Sequence, residues 1–215
     1  MKSLLSVLTL ALTLCATTTF AQVNFGVKAG LNLATMSISG EDTDEINDLK
    51  KMLLTFQVGG VADINLTDNL AVQPSLMLVG KGLKLKDDDL DATSTLNPLY
   101  LQVPILLLYK GNMFYVGAGP YVAFGLFGKS KVEFAGEEES EDLSFGNSED
   151  DDLAPLDFGA TAEAGVMLPM GIRIGAGYSL GLANILPKDV REGDDISFKN
   201  GVISVNVAYM FGSNE

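Results

Sequence analysis

Apolar and polar residues alternate with period two along most of this chain, and the alternation predicts eight strands. In residues 23–35 one face carries Phe25, Val27, Ala29, Leu31 and Leu33, and the other Asn24, Gly26, Lys28, Gly30 and Asn32. The same rhythm recurs over residues 54–64, 70–78, 99–109, 114–126, 157–166, 172–180 and 203–211. Residues 111–127 hold no charge and would pass a hydropathy test for a spanning helix. Pro120 and the glycines at 111, 117, 119 and 125 oppose a helix, and the aromatic side chains alternate faces as in a strand.

The connections predict the topology. Strands two and three are joined around residues 65–69, strands four and five around Lys110-Gly111-Asn112, and strands six and seven around Leu168-Pro169-Met170-Gly171. The other connections are long, so short and long alternate strictly. An antiparallel sheet of this rhythm gathers its tight turns at one end and its long loops at the other, the layout of a transmembrane barrel. Each apolar face runs nine to twelve residues, enough to cross a bilayer obliquely. A soluble barrel would turn that face inward. Here the opposing face, rich in Gly, Ser, Thr, Asn and Gln, is expected to be enclosed and the apolar one to meet lipid. Since no sheet edge can stay unpaired in hydrocarbon, strand one must close onto strand eight. The fold class is therefore an all-β, eight-stranded, antiparallel up-and-down transmembrane barrel.

Charge sharpens this picture. The chain of 215 residues carries a net charge of -14, and 22 of its 28 acidic residues fall in four segments, 41–48, 87–91, 137–152 and 189–195. These are the long loops, and their acidity argues against nucleic acid as a partner. The loops are expected to face the cell exterior and the turns the periplasm, with the loop charges simply solvated; bridging to the anionic cell surface through divalent ions is the sharper hypothesis. Residues 129–157 either extend strands five and six above the membrane or are partly disordered. The N-terminus reads as an export signal: Lys2, an apolar run over residues 4–14, then small residues ending in Ala21. Residues 1–21 are expected to be removed, leaving 22–215 as one barrel domain. Cys15, the one cysteine, lies in that signal, and Leu14 before it is wrong for a lipoprotein.

Few residues suggest chemistry. Histidine is absent, so no Ser-His-Asp relay can form around Ser179 in Gly177-Tyr178-Ser179-Leu180-Gly181, and Ser179 reads as a lumen hydroxyl. Asp87, Asp89 and Asp91 begin like a calcium loop, but Ala92 and Pro98 occupy its glycine and glutamate positions. No catalytic residue, cofactor or metal ligand is assigned. Lys28, Asp63, Glu163 and Arg173 are charges on the enclosed face and are expected to form a structural ion-pair network. With residues 168–170 as the turn, Arg173 stands opposite Gly165 and diagonal to Glu163, with Lys28 joining from strand one. Phe25, Tyr109, Phe114, Tyr209 and Phe211 fall outward near the short-turn end and suggest an interfacial aromatic belt; Phe56, Phe124 and Phe158 fall nearer the loops.

Particular stretches resemble a family. Phe25-Gly26-Val27-Lys28-Ala29-Gly30-Leu31-Asn32, Leu99-Tyr100-Leu101-Gln102-Val103-Pro104-Ile105-Leu106, Gly117-Ala118-Gly119-Pro120-Tyr121, Tyr178-Ser179-Leu180-Gly181-Leu182 and Ala208-Tyr209-Met210-Phe211 are similar to the small outer-membrane barrels of the Bacteroidetes, the porin-family or PorT-like proteins. The resemblance implies an outer-membrane location, contact with outer-membrane lipid, and insertion by the barrel-insertion machinery, with Phe211 as the terminal aromatic. It does not imply one activity. The expected role is non-enzymatic, structural or surface-interacting. The alternatives are a component of a secretion or export assembly, then a small-solute channel or a lipid-modifying enzyme.

Overall fold

A computed structural model describes residues 23–40, 49–87, 92–134, 136–191 and 196–211. Residues 1–21, expected to be an export signal and containing Cys15, the acidic segment 41–48, Asp89, Asp91 and the acidic residues at 192–195 lie outside the described residues. The described residues form eleven strands in chain order: β1 (Val23–Ser39), β2 (Lys50–Lys51), β3 (Leu53–Asn65), β4 (Leu70–Gly80), β5 (Leu83–Asp87), β6 (Ala92–Lys110), β7 (Phe114–Phe134), β8 (Glu137–Asp142), β9 (Leu156–Met167), β10 (Ile172–Gly181) and β11 (Ser197–Met210).

Eight of them form the wall. The antiparallel order β6-β4-β3-β1-β11-β10-β9-β7 closes on itself through pairing of β6 with β7. β1 and β11 meet along fourteen positions, from Gly26 opposite Met210 to Ser39 opposite Ser197. The expected closure of first strand on last is thus present, and the uncharged stretch after Gly111 is strand β7. The three tight turns share one end. Leu66 N–H donates to Leu70 O at 2.8 Å, Gly111 N–H to Phe114 O at 2.8 Å, and Leu168 N–H to Ile172 O at 2.8 Å. Neighbouring turns are stitched together by Lys110 N–H to Asn69 O at 2.7 Å and Met167 N–H to Met113 O at 2.8 Å.

The two faces divide as the alternation requires. Leu31, Leu54, Phe56, Leu76, Leu107, Phe114, Phe124, Val205 and Val207 point outward and are exposed, whereas Lys28, Asn32, Asp63, Gln73, Gln102, Arg173, Asn200 and Asn206 are buried inside. From Phe114 to Phe124 the apolar stripe covers ten steps, about 33 Å along the strand. Tilted by about 40°, that spans roughly 25 Å, the height of a barrel's apolar band.

The interior is less uniformly polar than the alternation suggests. Ala71, Leu106, Leu108 and Tyr115 form an apolar layer near the turns, and Val61, Met77, Val79 and Met210 a second. Polar residues lie between such layers, so the lumen is packed rather than water-lined. Gly175 makes room for the Tyr115 hydroxyl and Gly125 for the Phe145 ring; a Cβ at either position would collide with these groups.

Beyond the wall the sheet continues. β6 begins at Ala92 and β7 runs to Phe134, well past the alternating stretches, and the short strands β5, β2 and β8 flank them in the order β2-β5-β6-β7-β8. Of the segment 129–157, the first part extends the fifth predicted strand and then returns as β8, while β9 starts only at Leu156. The mouth is closed by an apolar cluster of Met36, Ile38, Leu83, Leu143, Leu153 and Ile185. Solvated loops would not build such a cap; isolated apolar residues within polar segments meet only after folding.

Candidate functional site

Among the described residues three ionic clusters stand along the lumen. Nearest the turns, Asp63 on β3 is fully buried and accepts Arg173 Nη2 at 2.6 Å and Gln73 Nε2 at 2.7 Å, with Lys110 Nζ 3.6 Å away. Lys110 also bonds Asn65 Oδ1. Towards mid-lumen, Lys28 Nζ meets Glu163 Oε2 at 2.7 Å, while the Tyr115 hydroxyl donates to Glu163 Oε1 at 2.7 Å. The Arg173 guanidinium lies 5.7 Å from the centre of the Tyr115 ring and links these two clusters.

The third cluster lies beneath the loops. Lys81 and Asp157 are 2.8 Å apart, with side chains only 1% and 0% exposed. Asp157 Oδ2 also accepts Asn200 Nδ2 at 2.9 Å and the Tyr121 hydroxyl at 3.3 Å. The Lys81 ammonium faces the rings of Tyr121 at 4.4 Å and Tyr100 at 5.0 Å. Burial of one such ion without its partner costs several kcal/mol, so both halves must be present. Local backbone makes this possible. β4 stops at Gly80 and Gly82 adopts φ 130°, which turns the chain so that Lys81 enters the lumen.

Lys28, Asp63, Glu163 and Arg173 all reach the lumen, but two details of the expected arrangement are corrected. Arg173 stands opposite Met167, not Gly165, because the left-handed Met170 (φ 66°) and Gly171 (φ 78°) place the three-residue turn at residues 169–171, one position later than expected. Its partner is consequently Asp63 across the lumen, and Glu163 pairs with Lys28 instead. Lys81, Asp157, Lys110, Gln73 and Asn200 were not singled out in the sequence. Asp157 falls on the polar face of its strand, which was a usable signal; Lys81 follows a strand end and offered none.

Other residues take simpler places. Ser179 lies mid-strand on β10, without the strand-turn-helix of a nucleophile elbow, and donates to Thr161 Oγ1 at 2.9 Å. Phe25, Tyr109, Phe114, Tyr209 and Phe211 all point outward at the short-turn end. The rings of Tyr109 and Phe114 are 6.2 Å apart, those of Tyr209 and Phe211 5.4 Å, and Phe211 N–H bonds Phe25 O at 2.7 Å. Among the described residues no group of three or more His, Cys, Asp or Glu could hold a metal ion. Mid-lumen, a cavity of about 30 Å³ lies among Lys28, Gln57, Gln102, Glu163 and Ser204. That is room for a few water molecules.

A closed antiparallel ring with an apolar exterior and a plugged polar interior is matched by a family model. The model, described as an outer membrane protein beta-barrel domain, matches residues 20–186. The chain belongs to this outer membrane β-barrel family. Its location is the outer membrane, and the expected β-barrel resemblance is met at that level. β11, which seals the ring, follows the matched region. No curated protein matches the sequence of this chain. Among solved structures it is similar to Ail, the attachment invasion locus protein of Yersinia pestis, in complex with the heparin analogue sucrose octasulfate. There the identity is 15% over 88% of this chain and 99% of that one, with a TM-score of 0.48. It is also similar to Neisserial surface protein A (11% identity, 86% and 96% covered, TM-score 0.43). A further likeness is the N-terminal β-barrel domain of OprF from Pseudomonas aeruginosa (10%, 88% and 100%, TM-score 0.33).

Proposed function

We propose that this barrel is a non-enzymatic anchor that holds a sheet with an acidic edge above the outer membrane, facing the cell exterior, as a surface-interaction platform. The observation that carries this reading is the pairing of a plugged wall with a sheet that outgrows it. Three ionic clusters cross the lumen and its central cavity is only about 30 Å³, which argues against a wide solute path. Above them β8 presents Glu137, Glu138, Glu139, Glu141 and Asp142, every one exposed, on a strand that among the described residues pairs only with β7. Such an edge resists joining copies of itself through like charge and suits cationic surfaces or divalent ions. The turns would then face the periplasm and the outward aromatics near them would sit at the inner interface of the bilayer. A cysteine placed at Ser140 tests the orientation: a membrane-impermeant maleimide should label it on intact cells. Labelling that needs a permeabilised outer membrane would refute it.

A second reading, a component of an export assembly of the PorT-like kind in the Bacteroidetes, draws on the turn end. Met113 and Met170 are 68% and 79% exposed there, beside a cleft of about 450 Å³ that Leu168 and Pro169 also line. Methionine-rich surfaces adapt to protein partners. A photo-crosslinker at Met170 that captured a periplasmic protein would favour this reading over the first.

A further inference from the structure

Near the loops the outer wall has a gap whose shape and charge fit a lipid. β3 and β4 pair only as far as Gln57 opposite Val79, and β4 ends at Gly80, so the upper stretch of β3 loses its neighbour on that side. Inside, Asn32 Nδ2 spans the gap by donating to Phe56 O at 3.0 Å and Gly80 O at 3.2 Å. Outside, a groove of about 650 Å³ remains. A register shift between Leu99 and Tyr100 leaves Leu126 as an extra residue on β7 and sets Phe127 on the same outward face as Lys129 and Lys131.

The groove lies across the rim of the apolar band. Its lower half is lined by Leu54, Phe56, Leu99 and Phe127, with Leu54 and Phe127 64% and 63% exposed. Its upper half is lined by Asn97, Thr95, Lys129 and Lys131 on paired positions of β6 and β7, and by Asp142 of β8. The sequence of surfaces along the groove is therefore hydrocarbon, then amide and hydroxyl, then charge.

Those charges are balanced rather than basic. Lys129 Nζ lies 3.6 Å from Asp142 and Lys131 Nζ 2.5 Å from Glu138. Both pairs are exposed, so each contributes little and its members can change partner at small cost. A headgroup bearing only negative charge would be repelled by two carboxylates. One that carries a phosphate and a primary ammonium together meets Lys129 and Lys131 with the first and Asp142 with the second. We infer that this groove is a lateral site for one membrane lipid with a phosphate-plus-amine headgroup, its chain against Leu54, Phe56, Leu99 and Phe127. The groove shares Asp142 with the acidic edge of β8, but the inference does not rest on what that edge binds.

Native mass spectrometry of the detergent-folded barrel tests this, with phosphatidylethanolamine, phosphatidylglycerol and phosphatidylcholine of identical chains offered in equal amounts. One phosphatidylethanolamine should be retained about tenfold over the other two, the ratio that one lost charged contact of about 1.4 kcal/mol produces. Lys129→Gln with Lys131→Gln should abolish the preference, and Phe127→Ala should weaken retention of the lipid. Val205→Ala, on the lipid face elsewhere, should change neither. All these positions are exposed, and an unchanged mobility shift between unboiled and boiled gel samples verifies folding. Equal retention of the three lipids, preference for phosphatidylglycerol, insensitivity to the lysine pair, or displacement by glycerophosphoethanolamine without chains would each overturn the inference.

Discussion

Lys81→Met tests whether the lumen's ionic clusters act as obligate pairs. Methionine keeps most of the volume and the apolar contact with Tyr100 and Tyr121, whose rings lie 5.0 Å and 4.4 Å from the ammonium. What disappears is the positive charge 2.8 Å from a carboxylate with no solvent exposure. Breaking a buried pair at one end costs about 3–5 kcal/mol. Asp157 would keep Asn200 and the Tyr121 hydroxyl as donors, which places the loss near the lower figure, about 3 kcal/mol. With a urea dependence of about 1–3 kcal/mol per molar, the unfolding midpoint should fall by roughly 1–3 M. The chain has no tryptophan, so unfolding in lipid vesicles is best followed by circular dichroism and by the gel mobility of unboiled samples. Adding Asp157→Asn to Lys81→Met should restore much of the loss, because the orphaned charge is then gone. A single-variant midpoint close to the parent's, or a double variant that is weaker than either single one, would refute the account of the pair as mutually required.

Further outcomes follow from the wall and the cap. Val205→Arg places a charge on the lipid face opposite Leu31 and should cost about 2–4 kcal/mol in a bilayer, whereas Phe211→Arg at the turn end should cost about 0–1 kcal/mol; refolding titrations into vesicles compare them. Planar-bilayer recordings should show no large steady single-channel current, given ionic clusters across the lumen and a central cavity of only about 30 Å³. Gly125→Val should push the Phe145 ring off Tyr100, destabilise by about 1–3 kcal/mol, and raise protease cleavage within residues 143–155 while the wall stays resistant.

The wall was readable because lipid and lumen impose opposite demands on neighbouring residues. Period two therefore survives in all eight strands, from Phe25 and Val27 in the first to Tyr209 and Phe211 in the last. β5 and β8 escaped that reading for the same reason. Glu137–Asp142 has no apolar face, and Leu83–Asp87 alternates leucine with lysine over too few residues to stand out. Which charges share the lumen was readable, since Lys28, Asp63, Glu163 and Arg173 fall on the polar face. Who pairs with whom was not. Arg173 meets Asp63 only because the Met170 and Gly171 conformations move the register and because strands distant in sequence face each other across a narrow bore. Lys81 became visible only with Gly82 turned to φ 130°. The cap over the mouth depends on Leu143, Leu153 and Ile185, which are far apart in sequence and carry no periodic signal.

The seam between β1 and β11 orders events in time. These are the first and last strands of the described chain, so until the C-terminal strand has been made, β1 has a free margin along fourteen positions. Hydrocarbon offers nothing to bond those amides and carbonyls. Threading into the bilayer from the N-terminus as synthesis proceeds is thus unfavourable. The chain must be kept out of lipid, or its margins shielded, until both ends can meet, and a product that lost its last fourteen-residue strand would be an open ribbon that cannot rest in a membrane.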